Sequence, residues 1–151
     1  MAGLAERLRR LLPGLWAGLL AAIALLAAPS AFAVLAAHDA GRLVGRMLAL
    51  EANASLAFAI VLFLLEQRRA RDASAAGHGS VVSAEMLLVL GTLACIVAGH
   101  YALLPLMEAA RFGQGRWSFA ALHGVSLGFY AVKGLLVLAL AWRAAGRTPG
   151  P

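Results

Sequence analysis

The chain has 151 residues, of which 62% are hydrophobic and only 13% charged. A soluble domain averages about 25% charge, so this composition describes a membrane protein with no room for a separate soluble domain. The formal net charge of +6 comes from scattered arginines and one lysine, without the basic stripe and aromatic interleaving of a nucleic-acid surface, and a lone Cys95 excludes an intrachain disulfide.

The first apolar run, Leu11 to Ala37, follows Arg7, Arg9 and Arg10 and contains Ala31-Phe32-Ala33. Basic residues, apolar run and A-x-A are the grammar of a secretory leader, but a leader core is about 7–15 residues long. This run is much longer and continues past Ala33, so it is expected to be a retained span over 14–37, kinked at Pro29. The second run, Met47 to Leu65, is interrupted only by Glu51 and predicts a span over 45–65. Residues 66–83 are polar and rich in Gly, Ala and Ser, and predict a loop. Ser83 and Glu85 then read as an N-cap and an acidic first turn opening a third span over 84–106, with Pro105 at its close. The fourth run, Trp117 to Trp142, is interrupted only by Lys133 and predicts a span over 119–142.

Each run suits the roughly 20 apolar residues that cross a hydrocarbon core as a helix. They are Leu- and Ala-rich and do not alternate, which excludes a transmembrane barrel. The expected fold is therefore all-α: a polytopic four-transmembrane-helix bundle forming a single integral domain over 1–151. Arg7, Arg9, Arg10, Arg68, Arg69, Arg71, Arg143 and Arg147 fall on one side, against Arg42, Arg46, Arg111 and Arg116 on the other. By the positive-inside rule both termini and the 66–83 loop are cytoplasmic, in a bacterial inner membrane.

Small residues mark packing faces: Gly14-xxx-Gly18, Gly124-xxx-Gly128, and the stripe Gly91, Cys95, Gly99. Close backbone approach drives helix association in lipid, either within the chain, in a homo-oligomer or in a larger membrane complex. Cys95 reads as a packing residue in this stripe.

Chemistry concentrates in the fourth run. His123, Ser126, Tyr130 and Lys133 fall within about 80° of one another on a helix of 3.6 residues per turn. A charge at the depth of Lys133 needs a partner, water or neutralisation. Glu51, approached from the opposite side, lies at a similar depth. Glu51, His123, Ser126, Tyr130 and Lys133 are therefore the candidate ligand or proton site, set against a purely structural polar network that fixes helix register. A Ser126–Lys133 hydrolase dyad lacks an oxyanion hole, so catalysis is not expected. His38, His100 and His123, with Met47 and Met107 at similar depth, form a second set whose chemistry would suit copper or haem. Their spacing is no metal motif, and no cofactor is predicted. Asn53-Ala54-Ser55 matches a glycosylation sequon but lies within a span.

The stretches LWAGLLAAIALLAAPSAF, GRLVGRMLALEA and FAALHGVS resemble the transmembrane protein 205-like family, known in bacteria as a domain of unknown function. The resemblance rests on Trp16, Gly18, Pro29-x-x-Phe32, Glu51, Pro105 and Phe119-x-x-Leu122-His123-Gly124-x-Ser126, and covers nearly the whole chain. It implies that Ala28 to Phe32 belong to a retained helix. It also implies export or trafficking of a small metal-containing compound, because a eukaryotic relative is linked with resistance to platinum drugs. Tyr130 stands where relatives can carry Asn, and Lys133 is not a feature of the resemblance. A weaker similarity, without an intact signature, is to four-helix membrane proteins of haem pathways. Three roles follow: binding or moving a small polar or metal-containing solute, acting as an accessory subunit of a larger membrane complex, or holding haem or copper.

Overall fold

The computed structural model describes residues 2–146. It is all-helical, with four helices long and apolar enough to span a membrane: α1 (Gly3–Val34), α2 (Ala37–Ala75), α3 (Ala84–Arg111) and α4 (Phe119–Ala145). Each packs on its sequence neighbours, and α4 closes the ring against α1. Arg147, counted among the basic residues of the tail, lies outside the described residues.

The helices exceed the expected spans. Residues 38–44, expected between the first two spans, are the opening turns of α2, and Leu35 and Ala36 alone make the corner. The expected loop over 66–83 is helical as far as Ala75. Gln67, the arginines and the alanines of this stretch are good helix formers despite their polarity. With 39 residues, α2 is about 58 Å long at 1.5 Å per residue, roughly twice a hydrocarbon core. Likewise α3 runs past Pro105 to Arg111.

The helix ends follow local chemistry. Ser83 and Ser118 cap α3 and α4 by accepting from the Met86 and Ala121 amides, each at 3.2 Å. α2 and α3 end in matching glycine turns. The His78 amide reaches back to the Ala73 carbonyl at 2.8 Å and the Gln114 amide to the Ala109 carbonyl at 3.0 Å. Gly77 and Gly113 supply the positive φ, +78° and +71°, that such turns require.

Two helices widen internally. Ile23–Ala27 in α1 and Val97–Ala102 in α3 are π-helical. Pro29 and Pro105 fall in the first α-helical turn after these segments. A proline ring collides with the carbonyl four residues earlier, here Leu25 and Tyr101, and removes one amide. A wider turn relieves both, so the helices continue where a simple kink or stop was expected.

The core lies in the half nearest the amino terminus. Trp16, Leu20, Ala59, Leu62, Val89, Ile96, Val137 and Leu140 form one buried cluster drawn from all four helices. Gly91 and Gly99 of the expected small-residue stripe face α4. A Cβ at Gly91 would meet Leu136 Cδ1 at 3.2 Å, and one at Gly99 would meet Phe129 Cβ at 2.5 Å. Cys95, between them, is buried. Gly14, Gly18, Gly124 and Gly128 have open space on their Cβ side.

Candidate functional site

The strongest polar feature is a chain of donors converging on one carboxylate. Trp16 Nε1 on α1 donates to Ser55 Oγ on α2 at 2.7 Å. Ser55 in turn donates to Glu51 Oε1, one turn earlier on α2. Lys133 Nζ on α4 lies 2.8 Å from each oxygen of the same carboxylate. Trp16 and Ser55 are completely buried, and Glu51 and Lys133 are 3% and 5% exposed. At that burial each charge is balanced chiefly by the other. The Lys133 ammonium also sits 4.5 Å above the Tyr130 ring centroid. Trp16 is further held by stacking on Phe58, centroids 5.7 Å apart.

This network is possible because Ser55 follows Glu51 by four residues, which places both on one face of α2. Lys133 and Tyr130 are three apart on α4 and share its inward face. Sequence reasoning named Glu51 and Lys133 and missed Trp16 and Ser55 as their partners. The Glu51 i+4 serine was an available signal, since any buried hydroxyl on that face needs a partner.

A cavity of about 40 Å³ adjoins the pair, bounded by Glu51, His100, Ser126, Tyr130 and Lys133 and, on the α3 side, Cys95 and Gly99. That is room for roughly one to three waters. Two α4 hydroxyls brace its walls. Tyr130 donates to the Leu20 carbonyl at 3.0 Å, just ahead of the α1 π segment. Ser126 donates to the Gly99 carbonyl at 3.0 Å, inside the α3 π segment. The widened turn of α3 therefore borders the site and is tied to α4.

Of the residues expected at the ligand site, Glu51, Ser126, Tyr130 and Lys133 come together. His123 does not. It is exposed, on the outward side of α4, and stacks on Phe119, centroids 5.8 Å apart. His100, expected in the metal set, instead lines the cavity and sets its ring edge-on to Tyr101. His38 is exposed near the start of α2. Among the described residues no three His, Cys, Asp or Glu side chains gather as a metal-holding group, so His38, His100 and His123 are not assembled as one.

A second set of charges staples the basic end. Arg9 of α1, itself buried, donates to Glu66 of α2 at 2.9 Å. Glu6 joins Arg9 at 2.6 Å and Arg10 at 2.9 Å. On the other side, Arg143 of α4 meets Glu85 of α3 at 2.9 Å. Glu85 is thus a cross-helix partner as well as the acidic first turn expected of it.

The chain belongs to the family described as Domain of unknown function (DUF4149), which matches residues 11–116. The matched stretch includes Trp16, Glu51, Ser55 and His100 and ends before Ser126, Tyr130 and Lys133. It carries no link to transmembrane protein 205. No curated protein and no solved structure matches the chain.

Proposed function

We propose that this DUF4149 membrane protein binds a small polar solute at the Glu51–Lys133 site, within the bacterial cytoplasmic membrane and with both termini inside. One observation carries the reading: a buried carboxylate–ammonium pair borders a water-sized cavity instead of being packed on every side by apolar groups. A pair that only fixed helix register would need no such space, and intramembrane ionisable residues generally mark ligand or ion paths. Ser126, Tyr130 and His100 supply further polar contacts on the cavity walls. The orientation rests on Arg7, Arg9, Arg10, Arg68, Arg69, Arg71 and Arg143, which the bundle gathers at one end. The polar arm of the solute expectation is preferred to the metal-containing arm because the carboxylate, imidazole and thiol on the cavity wall do not gather as a metal-holding group among the described residues, and a lysine lies beside them.

The test compares wild type with the double variant Glu51→Gln/Lys133→Met, which removes both charges together and so keeps the bundle electrically balanced. Both are purified from native membranes in nanodiscs, and small molecules and co-purifying chains are identified by mass spectrometry. A polar molecule retained by wild type and missing from the double variant is the expected result. Identical extracts would sink the proposal, and stoichiometric partner chains on both proteins would replace it with an accessory-subunit role.

A further inference from the structure

Building on the solute-binding reading, we infer that the site exchanges a small ammonium-type cation for the side-chain proton of Lys133. The two members of the pair are not held alike. Glu51 accepts from Ser55, which is itself fixed by Trp16, so its carboxylate keeps a donor when lysine leaves. Lys133 is held by the Glu51 oxygens and the Tyr130 ring, at the end of a flexible four-carbon stem. The lysine is therefore the exchangeable partner, and whatever takes its place at Glu51 is a cation.

The position that Nζ occupies defines the ligand. It offers two carboxylate oxygens at hydrogen-bond distance and an aromatic face at 4.5 Å. That is the recognition geometry of an ammonium group. The adjoining cavity of about 40 Å³ accommodates ammonium or a short primary amine. Lys133 thus acts as a built-in stand-in for the ligand.

Charge balance supplies the proton. Two cations beside one carboxylate in a low-dielectric interior repel each other strongly. When the ligand enters, the Lys133 ammonium breaks one N–H bond, keeps the electron pair as a neutral amine, and passes the proton by way of cavity water to the bulk solvent. The site holds one positive and one negative charge before and after. The groups facing Lys133 are Glu51 from α2, His100 and Cys95 from α3 and Tyr130 from α4. α1 contributes the Trp16 indole and the Leu20 carbonyl, neither of which titrates. Ligand release reverses the step, and Lys133 takes back its proton.

The experiment uses full-length protein in nanodiscs, weakly buffered, with a pH indicator and methylammonium chloride as the probe. Choline chloride, whose quaternary nitrogen has no N–H to donate to the Glu51 oxygens, controls for ionic strength. Wild type is expected to release about one proton per methylammonium bound. Lys133→Met is expected to bind methylammonium more tightly and release none, and Glu51→Gln/Lys133→Met to do neither. Methylammonium binding by wild type without proton release overturns the exchange and leaves the solute reading standing. No methylammonium binding by wild type or Lys133→Met overturns the inference, while the solute reading is judged separately by its small-molecule comparison. If Lys133→Met does not fold, the wild-type stoichiometry decides alone.

Discussion

The two halves of this bundle use the same apolar alphabet and differ in how closely they pack. Toward the basic end, side chains from all four helices close on Trp16, Leu62, Val89 and Val137, and the Arg9–Glu66 and Arg143–Glu85 pairs staple neighbouring helices. Beyond Ile96, neither the π segment of α3 nor the turns up to Arg111 bury a residue, and α4 before Lys133 buries only Leu122. Glu51 and Lys133 lie at the boundary. The comparison teaches where a charged pair can sit: deep enough that its members need each other, and beside the half that buries fewer side chains. The two prolines sharpen the division, because each follows a π segment on the open side of the core.

The sharpest way to break this boundary is to unbalance it. Glu51→Ala or Lys133→Met alone leaves one buried charge without its partner, at a cost of about 3–5 kcal/mol. The double variant Glu51→Gln/Lys133→Met is expected to recover most of that loss. Reversible unfolding in detergent micelles measures all three. A double variant as unstable as the singles would show that the pair is not the source of the cost.

Gly99→Ala tests the seam where the halves meet. Its Cβ would fall 2.5 Å from Phe129 Cβ, so α3 and α4 must part or Phe129 must shift, at about 1–3 kcal/mol. The Ser126 bond to the Gly99 carbonyl would loosen with it. Gly124→Ala, facing open space, serves as the control and should be neutral within the purified chain. Equal losses at both glycines would mean that the open face is covered by something else.

Trp16→Phe keeps most of the apolar bulk and removes the indole donor to Ser55. The expected loss is about 1 kcal/mol, the net worth of one hydrogen bond. A more informative readout is methylammonium affinity, which should fall because the Glu51 carboxylate loses its indirect support from α1.

The four spans could be read directly from the chain, because uncharged runs of Leu and Ala have no other stable place than lipid. The Ser83 cap follows from local chemistry as well. Helix extent was harder. Residues 66–75 look like a loop by polarity, yet Arg, Gln and Ala favour helix. Pro105 looks like a terminus, yet the π segment before it absorbs the ring. At the site, depth counting brought Glu51 and Lys133 together, and the shared face of α4 brought in Ser126 and Tyr130. The same angular argument included His123, which the structure places at the surface while its neighbour Leu122 is buried. Trp16 was visible as a residue of the resemblance, but its reach to Ser55 depends on the relative rotation of α1 and α2, which no single-helix pattern encodes.

The two staples at the basic end provide the finest test of how burial sets the value of a charge. The Arg143 side chain is 50% exposed, and its Glu85 partner 10%. A pair whose basic member is half exposed is screened by solvent and contributes about 0–1 kcal/mol, so Arg143→Gln should barely move the unfolding midpoint. Arg9 and Glu66 are 7% and 4% exposed. Arg9→Gln removes the close partner of a buried carboxylate, and Arg69, at 3.8 Å, is too distant to replace it fully. Arg9→Gln should therefore cost more than Arg143→Gln, and added salt should narrow the gap little because buried pairs are poorly screened. If the two substitutions cost the same, the staples act through the headgroup region and not through burial. The closed half would then owe its stability to the apolar cluster around Trp16 and Leu62 alone.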